Sequence, residues 1–461
     1  MLRSGTGNIW GRSTCAALLW IGAAVGVARA DAIACIGDCD GDGTVTVGEV
    51  VKGVNMALGS LPTTACAAFD ISSSGPPVAI SQLVTAVNDL LDGCPVTPTT
   101  PGFVFNGQEN RMDVYVAGPG FPKQTFPSNG DAPGVGRDLN GQICFTYDAQ
   151  TGAVHFIAGE DSNQGSSHET AGWGYFELTG SQVGDFHYNE VGKLTPTYQP
   201  TADGAENYGC GFLSDGRLLT TDVGNQSGGN GNGQLVIWFP PFDVGANYTP
   251  DGVVPTTPAH YCKLDITIAT AQQIAIDSQD RIYVGSSRDN LMGSGAGVYR
   301  YTGPFPTSDT PDGGCDGVDN TGAPMATHIT KERFIPSDAN IPTPAGVVIK
   351  PDGGFYVSSV LNGVIAEYDG DGHFLRKVLI PSNVGIPITS GTPLGIGLAS
   401  DGTLFYADIG LRIGAHGIGP GNDTGSVRRL RFVNGAPQPP ETMDTGLDFP
   451  DGIGILNLPG Q

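Results

Sequence analysis

Residues 345–362 read AGVVIKPDGGFYVSSVLN: an apolar run, a turn around Asp352-Gly353, a second apolar run, then polar residues. The turn residues explain the break, because Asp-Gly pairs accept the left-handed backbone that a tight hairpin needs. The pattern occurs three more times, as GCGFLSDGRLLTTDVGN at 209–225, QIAIDSQDRIYVGSSRDN at 273–290 and LGIGLASDGTLFYADIG at 394–410. The turn acids Asp215, Asp280, Asp352 and Asp401 lie 65, 72 and 49 residues apart. Another strand follows each hairpin, at 234–239, 297–301, 363–368 and 426–432. A four-stranded unit of about 40–50 residues plus loops, repeated along a chain, is the blade of a β-propeller.

Working outward, strands are expected at 112–117, 142–147, 154–158 and 174–178. Pro450-Asp451-Gly452-Ile453-Gly454-Ile455-Leu456 looks like the first half of another repeat that then stops. Ring closure accounts for it: the last strand completes the first blade beside 112–117, which removes sheet edges that invite aggregation. The expectation over 102–461 is therefore a mostly β domain, a six-bladed β-propeller, with five or seven blades also compatible with the spacing. A tandem of β-sandwiches is the competing fold.

The chain has 461 residues, 71 of them Gly and 34 Pro, and only 15% are charged. That mix suits short strands joined by tight turns, and the length leaves room for a second, smaller module. The formal net charge is −24, and −27 once residues 1–30, with Arg3, Arg12 and Arg29 and no acid, are removed. So acidic a chain repels phosphate backbones, which argues against nucleic acid as a partner. Calcium is the charged partner it favours; the plainer reading is that the acids keep an exported protein soluble.

Residues 1–30 have the form of a secretory signal peptide, with Arg3 and Arg12, the apolar run 16–27, and Ala28-Arg29-Ala30 as the cleavage site. No later run reaches the ~20 apolar residues a membrane helix needs. Secretion, extracellular or periplasmic, is the expectation. A degenerate lipobox ending at Cys35 is the rival, but Arg29 and Asp31 interrupt the apolar run before it. Beyond Cys15, the cysteines fall into two sets of four, Cys35, Cys39, Cys66 and Cys94, then Cys144, Cys210, Cys262 and Cys315. Even sets in an exported chain point to disulfides, each set allowing three pairings.

The module at 35–94 carries DCDGDGTVTVGE at 38–49, which fills the twelve-residue EF-hand loop. Calcium takes six to eight oxygens. Asp38, Asp40 and Asp42 supply carboxylates, Thr44 a backbone carbonyl, Thr46 a direct or water-mediated contact, and Glu49 both of its oxygens. Val50, Val51, Val54, Met56 or Ala57, and Leu58 then recur at helical spacing up to Gly59. A degenerate second copy starts at Asp70 and places Gln82 where the bidentate Glu belongs, with a helix at 83–91. A Pro/Thr-rich linker follows at 95–101. The module resembles type I dockerins over about 60 residues. The resemblance implies a cohesin-like protein partner; Val47 and Gly48 stand where dockerins carry recognition residues, and a calcium-stiffened spacer is the plainer role.

The blades at 344–368 and 393–408 resemble those of the gluconolactonase, senescence-marker-protein and NHL-repeat propellers. In the gluconolactonase-like group a divalent ion in the central tunnel is held by Asp, Asn and Glu from several blades and acts as a Lewis acid on a lactone or ester. The resemblance implies such a role here for Glu160, Asp222, Asn225, Asp289, Asn290, Asp408 and Asp451, with Asp161, Asn163, Glu206, Asn207 and Asn362 near them. The same residue types also make turns and cap strands in any β-protein. His168, His187 and His260 read as surface or structural residues, and Trp173 and Trp238 as core. The chain shows a complete calcium motif and no complete catalytic one. Two functions from different classes follow: a secreted calcium-binding recognition or scaffold protein whose propeller binds a glycan or another extracellular protein, or a calcium-dependent lactone or ester hydrolase.

Overall fold

The structure, a computed structural model, describes residues 37–39, 45–62, 65–69, 78, 82–84, 86–87 and 90, and residues 102–458 except 109–110, 118–120, 128–137, 149–150, 162–171, 195–206, 225–231, 243–259, 289–294, 384 and 415–416. The chain divides into two compact units, Met1–Thr99 and Thr100–Gln461.

In the first unit a helix, Val47–Ala57, starts at Thr46, whose extended backbone marks the N-cap. Glu49 turns back at the third helical position to accept from the Thr46 N–H at 2.8 Å and the Thr46 hydroxyl at 2.9 Å, one half of a capping box. Met56, Cys66, Phe69, Val78 and Ala86 form a small core with Val50 and Ala57 against it. The apolar stripe expected from the sequence therefore splits. Val51, Val54 and Leu58 face solvent, while Gly53 is buried because the Phe69 ring leaves no room for a Cβ. A Cys39–Cys66 disulfide staples this core. The second copy from Asp70, with Cys35 and Cys94, lies largely outside the described residues.

The second unit is a six-bladed β-propeller. Blade 1 is built from Gly452–Leu456, Phe103–Gln108, Arg111–Val116 and Lys123–Pro127, from the axis outward. Blade 2 follows with Asp138–Tyr147, Val154–Asp161, Gly172–Thr179 and His187–Leu194. Blade 3 has Asn207–Phe212, Leu218–Asp222, Gly233–Phe239 and His260–Ile268; blade 4 has Ala271–Ile276, Ile282–Ser286, Gly297–Thr302 and Thr330–Pro336. Blade 5 comprises Pro344–Ile349, Phe355–Ser359, Val364–Tyr368 and Phe374–Leu379, and blade 6 Pro393–Leu398, Leu404–Asp408, Gly425–Leu430 and Glu441–Leu447. The first-named strands pack side by side around the axis, blade 6 returning to blade 1.

Closure occurs through the C-terminal strand, in antiparallel register with Phe103–Gln108: Ile455 faces Val104 and Ile453 faces Asn106. This corrects one detail of the sequence reading, since Phe103–Gln108 stands between the closing strand and Arg111–Val116. The hairpin turns also regroup. Asp215, Asp352 and Asp401 each accept a backbone N–H from two residues on. In blade 4 that role passes to Asp277, which accepts from the Gln279 and Arg281 N–H groups. Asp280 instead takes the left-handed position that Gly216, Gly353 and Gly402 fill elsewhere, at φ 57°. Its carboxylate reaches across to the Ser214 N–H and hydroxyl of blade 3.

The core is six apolar layers, one between each pair of neighbouring blades. A strand covered on both faces cannot alternate polar and apolar residues, so Leu218–Asp222, Ile282–Ser286, Phe355–Ser359 and Leu404–Asp408 are buried at every position. At the axis the strands come so close that a Cβ on Gly395 would run into the Asp451 carbonyl, and one on Gly452 into that of Gly141. Those contacts are why glycine recurs in the first strand of the repeat. The second set of cysteines pairs Cys144–Cys210, joining the axial strands of blades 2 and 3, and Cys262–Cys315.

Candidate functional site

Two glutamines bridge the axial strands of the ring. The Gln142 amide of blade 2 accepts from the backbone N–H of Cys210 in blade 3, at 3.1 Å, and of Ile274 in blade 4, at 3.0 Å. Its Nε2 donates to the Ile274 carbonyl at 3.0 Å. Gln273 of blade 4 treats Ile396 of blade 6 in the same way, donating to its carbonyl at 2.7 Å and accepting from its N–H at 3.0 Å. Beside these amides, toward the C-terminal ends of the axial strands, lies a cavity of about 360 Å³ walled by Phe145, Val348, Leu398 and Ile455. At the other end, Tyr208, Ala345 and Leu394 from three axial strands pack with Val223, Ile409 and Leu411. The Tyr208 hydroxyl donates to the Asp451 carbonyl at 2.6 Å.

The sequence-derived acids sit around that second end. Asp408 is buried, and its Oδ1 accepts from the N–H and hydroxyl of Thr392 and the N–H of Gly410. Its Oδ2 accepts from Ser426 and from Arg428 at 2.9 Å. All five contacts lie within blade 6. Asp451 receives the Gly141 N–H at both oxygens, 3.0 and 2.9 Å, across the seam between blades 1 and 2. Asp222 stands opposite Asn207 and Gln234 in register. Burial pushes its carboxyl up to about 7, against the Gly224 N–H at 2.9 Å and the charge of Lys263, which pull it down. Asn362 donates to the Asn340 carbonyl at 2.9 Å.

Glu160 and Asp161 lie on a described strand, but their side chains, like Asn163, Glu206, Asn225, Asp289 and Asn290, lie outside the described residues. Among the described residues no three His, Cys, Asp or Glu side chains come together as a metal site. Trp173 is buried, and buried Trp238 donates to Thr220, so both are core. His260 is exposed beside Asp309, His187 lies on the outer strand of blade 2, and His168 is outside the described residues. Sequence reasoning missed Gln142 and Gln273. The readable signal was a glutamine within an otherwise apolar first strand, as in AQQIAI at Ala271–Ile276.

Of the calcium loop, Asp38, Thr46 and Glu49 are described; Asp40, Asp42 and Thr44 are not. Asp38 and Glu49 are both buried. One Glu49 oxygen accepts from the Cys39 N–H at 2.7 Å and the other from Thr46, so the carboxylate spans the loop from its second to its ninth position. Two buried carboxylates at the two ends of one short loop suit a divalent cation, whose charge offsets their desolvation.

The strand order defines the class of this domain, a six-bladed propeller closed by its C-terminal strand. No family model matches the chain, and no curated protein matches it. Among solved structures it is similar to a protein of unknown function from Bacteroides caccae, at 11% identity and a TM-score of 0.42, covering 78% of this chain and 100% of that one. It is also similar to virginiamycin B lyase from Staphylococcus aureus, at 14% identity and a TM-score of 0.36, covering 78% and 89%. A calcium-binding protein, regucalcin from Agrobacterium tumefaciens, matches at 15% identity and a TM-score of 0.38, covering 68% and 83%.

Proposed function

We propose that this is a secreted calcium-binding protein whose propeller serves as a recognition platform for an extracellular glycan or protein, with calcium held in the loop Asp38–Glu49. The observation that carries the reading is the axis itself. Gln142 and Gln273 cross-link its strands, and Tyr208, Ala345 and Leu394 pack over one end. Asp408 is saturated by donors of its own blade and Asp451 is held by Gly141, so both act as structural carboxylates. The three disulfides among described cysteines support an oxidising destination. Calcium in the loop would hold the start of the helix Val47–Ala57 through Glu49.

A hydrolase reading is favoured by one residue, Asp222, whose carboxyl at about 7 is matched to proton transfer near neutrality. Calorimetric calcium titration of the mature chain and of Glu49→Ala, run beside lactone and ester hydrolysis assays, tests both readings. The platform reading expects the variant to lose one tightly bound calcium and both proteins to leave the substrates intact. Hydrolysis by the wild type that disappears in Asp222→Asn would replace that reading with the enzyme. Unchanged calcium uptake in Glu49→Ala would remove the loop from it.

A further inference from the structure

The end of the ring toward which the axial strands run holds a cavity that neither the calcium loop nor the acids at the opposite end account for. Its volume of about 360 Å³ falls within the roughly 300–1,000 Å³ of small-molecule sites. Phe145, Val348, Leu398 and Ile455 wall it from the axial strands of blades 2, 5, 6 and 1. All four are half-buried, so each keeps apolar surface that the core does not cover. Among the described residues that line the cavity, none is charged.

Gln142 and Gln273 form its floor. In the other four axial strands the corresponding residue is Gly209, Gly346, Gly395 or Gly452, each set close against a carbonyl of the next blade. Gln142 Oε1 is filled by two backbone N–H groups, and Nε2 of each glutamine gives one N–H to a backbone carbonyl. An amide nitrogen carries two N–H groups, so each keeps a second, with no other acceptor among the described residues. Gln273 is only 2% exposed, and a donor so buried costs free energy until an acceptor reaches it. Charge around this end is negative. In the turns that follow the axial strands, Arg217, Arg281 and Lys350 offset Asp215, Asp277 and Asp352. Asp280 and Asp401 are bonded to the N–H and hydroxyl groups of Ser214 and Thr403 instead, which are neutral. An anion is therefore disfavoured there.

We propose that this cavity binds an uncharged, largely apolar small molecule bearing a carbonyl or ether oxygen, which accepts from the free amide N–H groups of Gln142 and Gln273. The apolar body of the ligand lies against Phe145, Val348, Leu398 and Ile455, where leaving water is favourable. An ionic head would find no partner on these walls. The filled oxygen of Gln142 leaves the floor as a donor, so the ligand accepts rather than donates. The cavity lies at the other end of the ring from Asp222, Asp408 and Asp451, and the proposal is independent of the glycan or protein that the platform recognises.

The test titrates the full mature chain with prodan, an uncharged dimethylaminonaphthyl ketone whose emission moves to the blue in apolar surroundings. The expected result is saturable uptake with blue-shifted emission, while anilinonaphthalene sulfonate, comparable in its aromatic body but anionic, is not taken up. In Leu398→Asp, which sets a charge in the wall, the dissociation constant should rise about tenfold or more. Should that variant fail to fold, Val348→Phe decides, because it fills space without adding charge and should weaken uptake likewise. Gln273→Leu supplies a second readout: the bound ketone loses a donor, so its emission should move further to the blue. No uptake by the wild type would overturn the proposal. So would uptake unchanged in both wall variants or shared equally by the sulfonate, which would put the probe on exposed apolar residues such as Val51 and Leu58.

Discussion

Gln142 accepts from the N–H groups of Cys210 and Ile274 and donates to the Ile274 carbonyl, so one amide ties blades 2, 3 and 4 together. Gln273 makes the corresponding pair of bonds to Ile396 alone. Replacing either by Leu keeps much of the volume but leaves backbone groups without partners near the axis, at about 1–3 kcal/mol for each buried group. Gln142→Leu should therefore cost about 3 kcal/mol or more in urea unfolding, and Gln273→Leu about 2 kcal/mol. Equal and negligible losses would show that solvent at the axis replaces the amides. Neither residue stood out in the sequence, because its partners are backbone groups of other blades. The acids Asp222, Asp408 and Asp451 were readable as a set, being tied to repeat positions. Their separate fates depend on contacts no local pattern encodes, such as Arg428 meeting Asp408.

Among the elements, the hairpins within blades 3 to 6 were legible because a hairpin is a local object: two apolar runs and a turn whose residues sit next to one another. Outer strands such as Thr330–Pro336, Phe374–Leu379 and Glu441–Leu447 were not, since their exposed faces carry polar residues with no clean alternation. The edge of blade 3 shows what such a strand needs. A two-stranded hairpin, Gly317–Val318 with Pro324–Met325, runs along His260–Ile268, and the Cys262–Cys315 disulfide lies beside it. Lys263 reaches from the strand to Asp319 at 2.6 Å, both side chains 3% exposed. Burial alone would raise the Asp319 carboxyl. The bonds from Lys263, the Thr321 hydroxyl and the Ala323 and Thr321 N–H groups outweigh it and hold the carboxyl well below the usual carboxylate range. A depressed carboxylate stabilises the fold above its unfolded value of about 3.9, and that contribution is lost as pH falls through the native value. Urea midpoints measured from pH 5 down to pH 2 should therefore fall less steeply in Asp319→Asn than in the wild type. At neutral pH the same variant should be the weaker protein, since buried Lys263 loses the carboxylate it is paired with. Parallel acid limbs in the two proteins would show that Asp319 does not report on folding.

For the whole molecule, the decisive link is the last strand of the chain. Gly452–Leu456 belongs to blade 1, so the ring closes only when the C-terminus pairs with Phe103–Gln108. Ile453 and Leu456 are buried there, at 3% and 0% exposure. Burying two such side chains is worth about 4 kcal/mol before any hydrogen bond is counted, against a net stability of about 5–15 kcal/mol for an ordinary domain. Removing the strand also uncovers the Phe103–Gln108 edge, with Phe103 and Phe105 among its buried residues, and an unpaired apolar edge recruits other chains. A chain ending at Pro450 should lack a cooperative melt of the propeller and associate on concentration. Cutting back the outermost strand of another blade would remove less, because Phe374–Leu379 is exposed over much of its length. Supplying residues 451–461 as a separate peptide should restore a monomeric, cooperatively melting ring, since the strand contributes through pairing rather than through its covalent link. A truncated chain that melts within a few degrees of the intact protein, without the peptide, would mean that the six interblade layers hold the ring without closure.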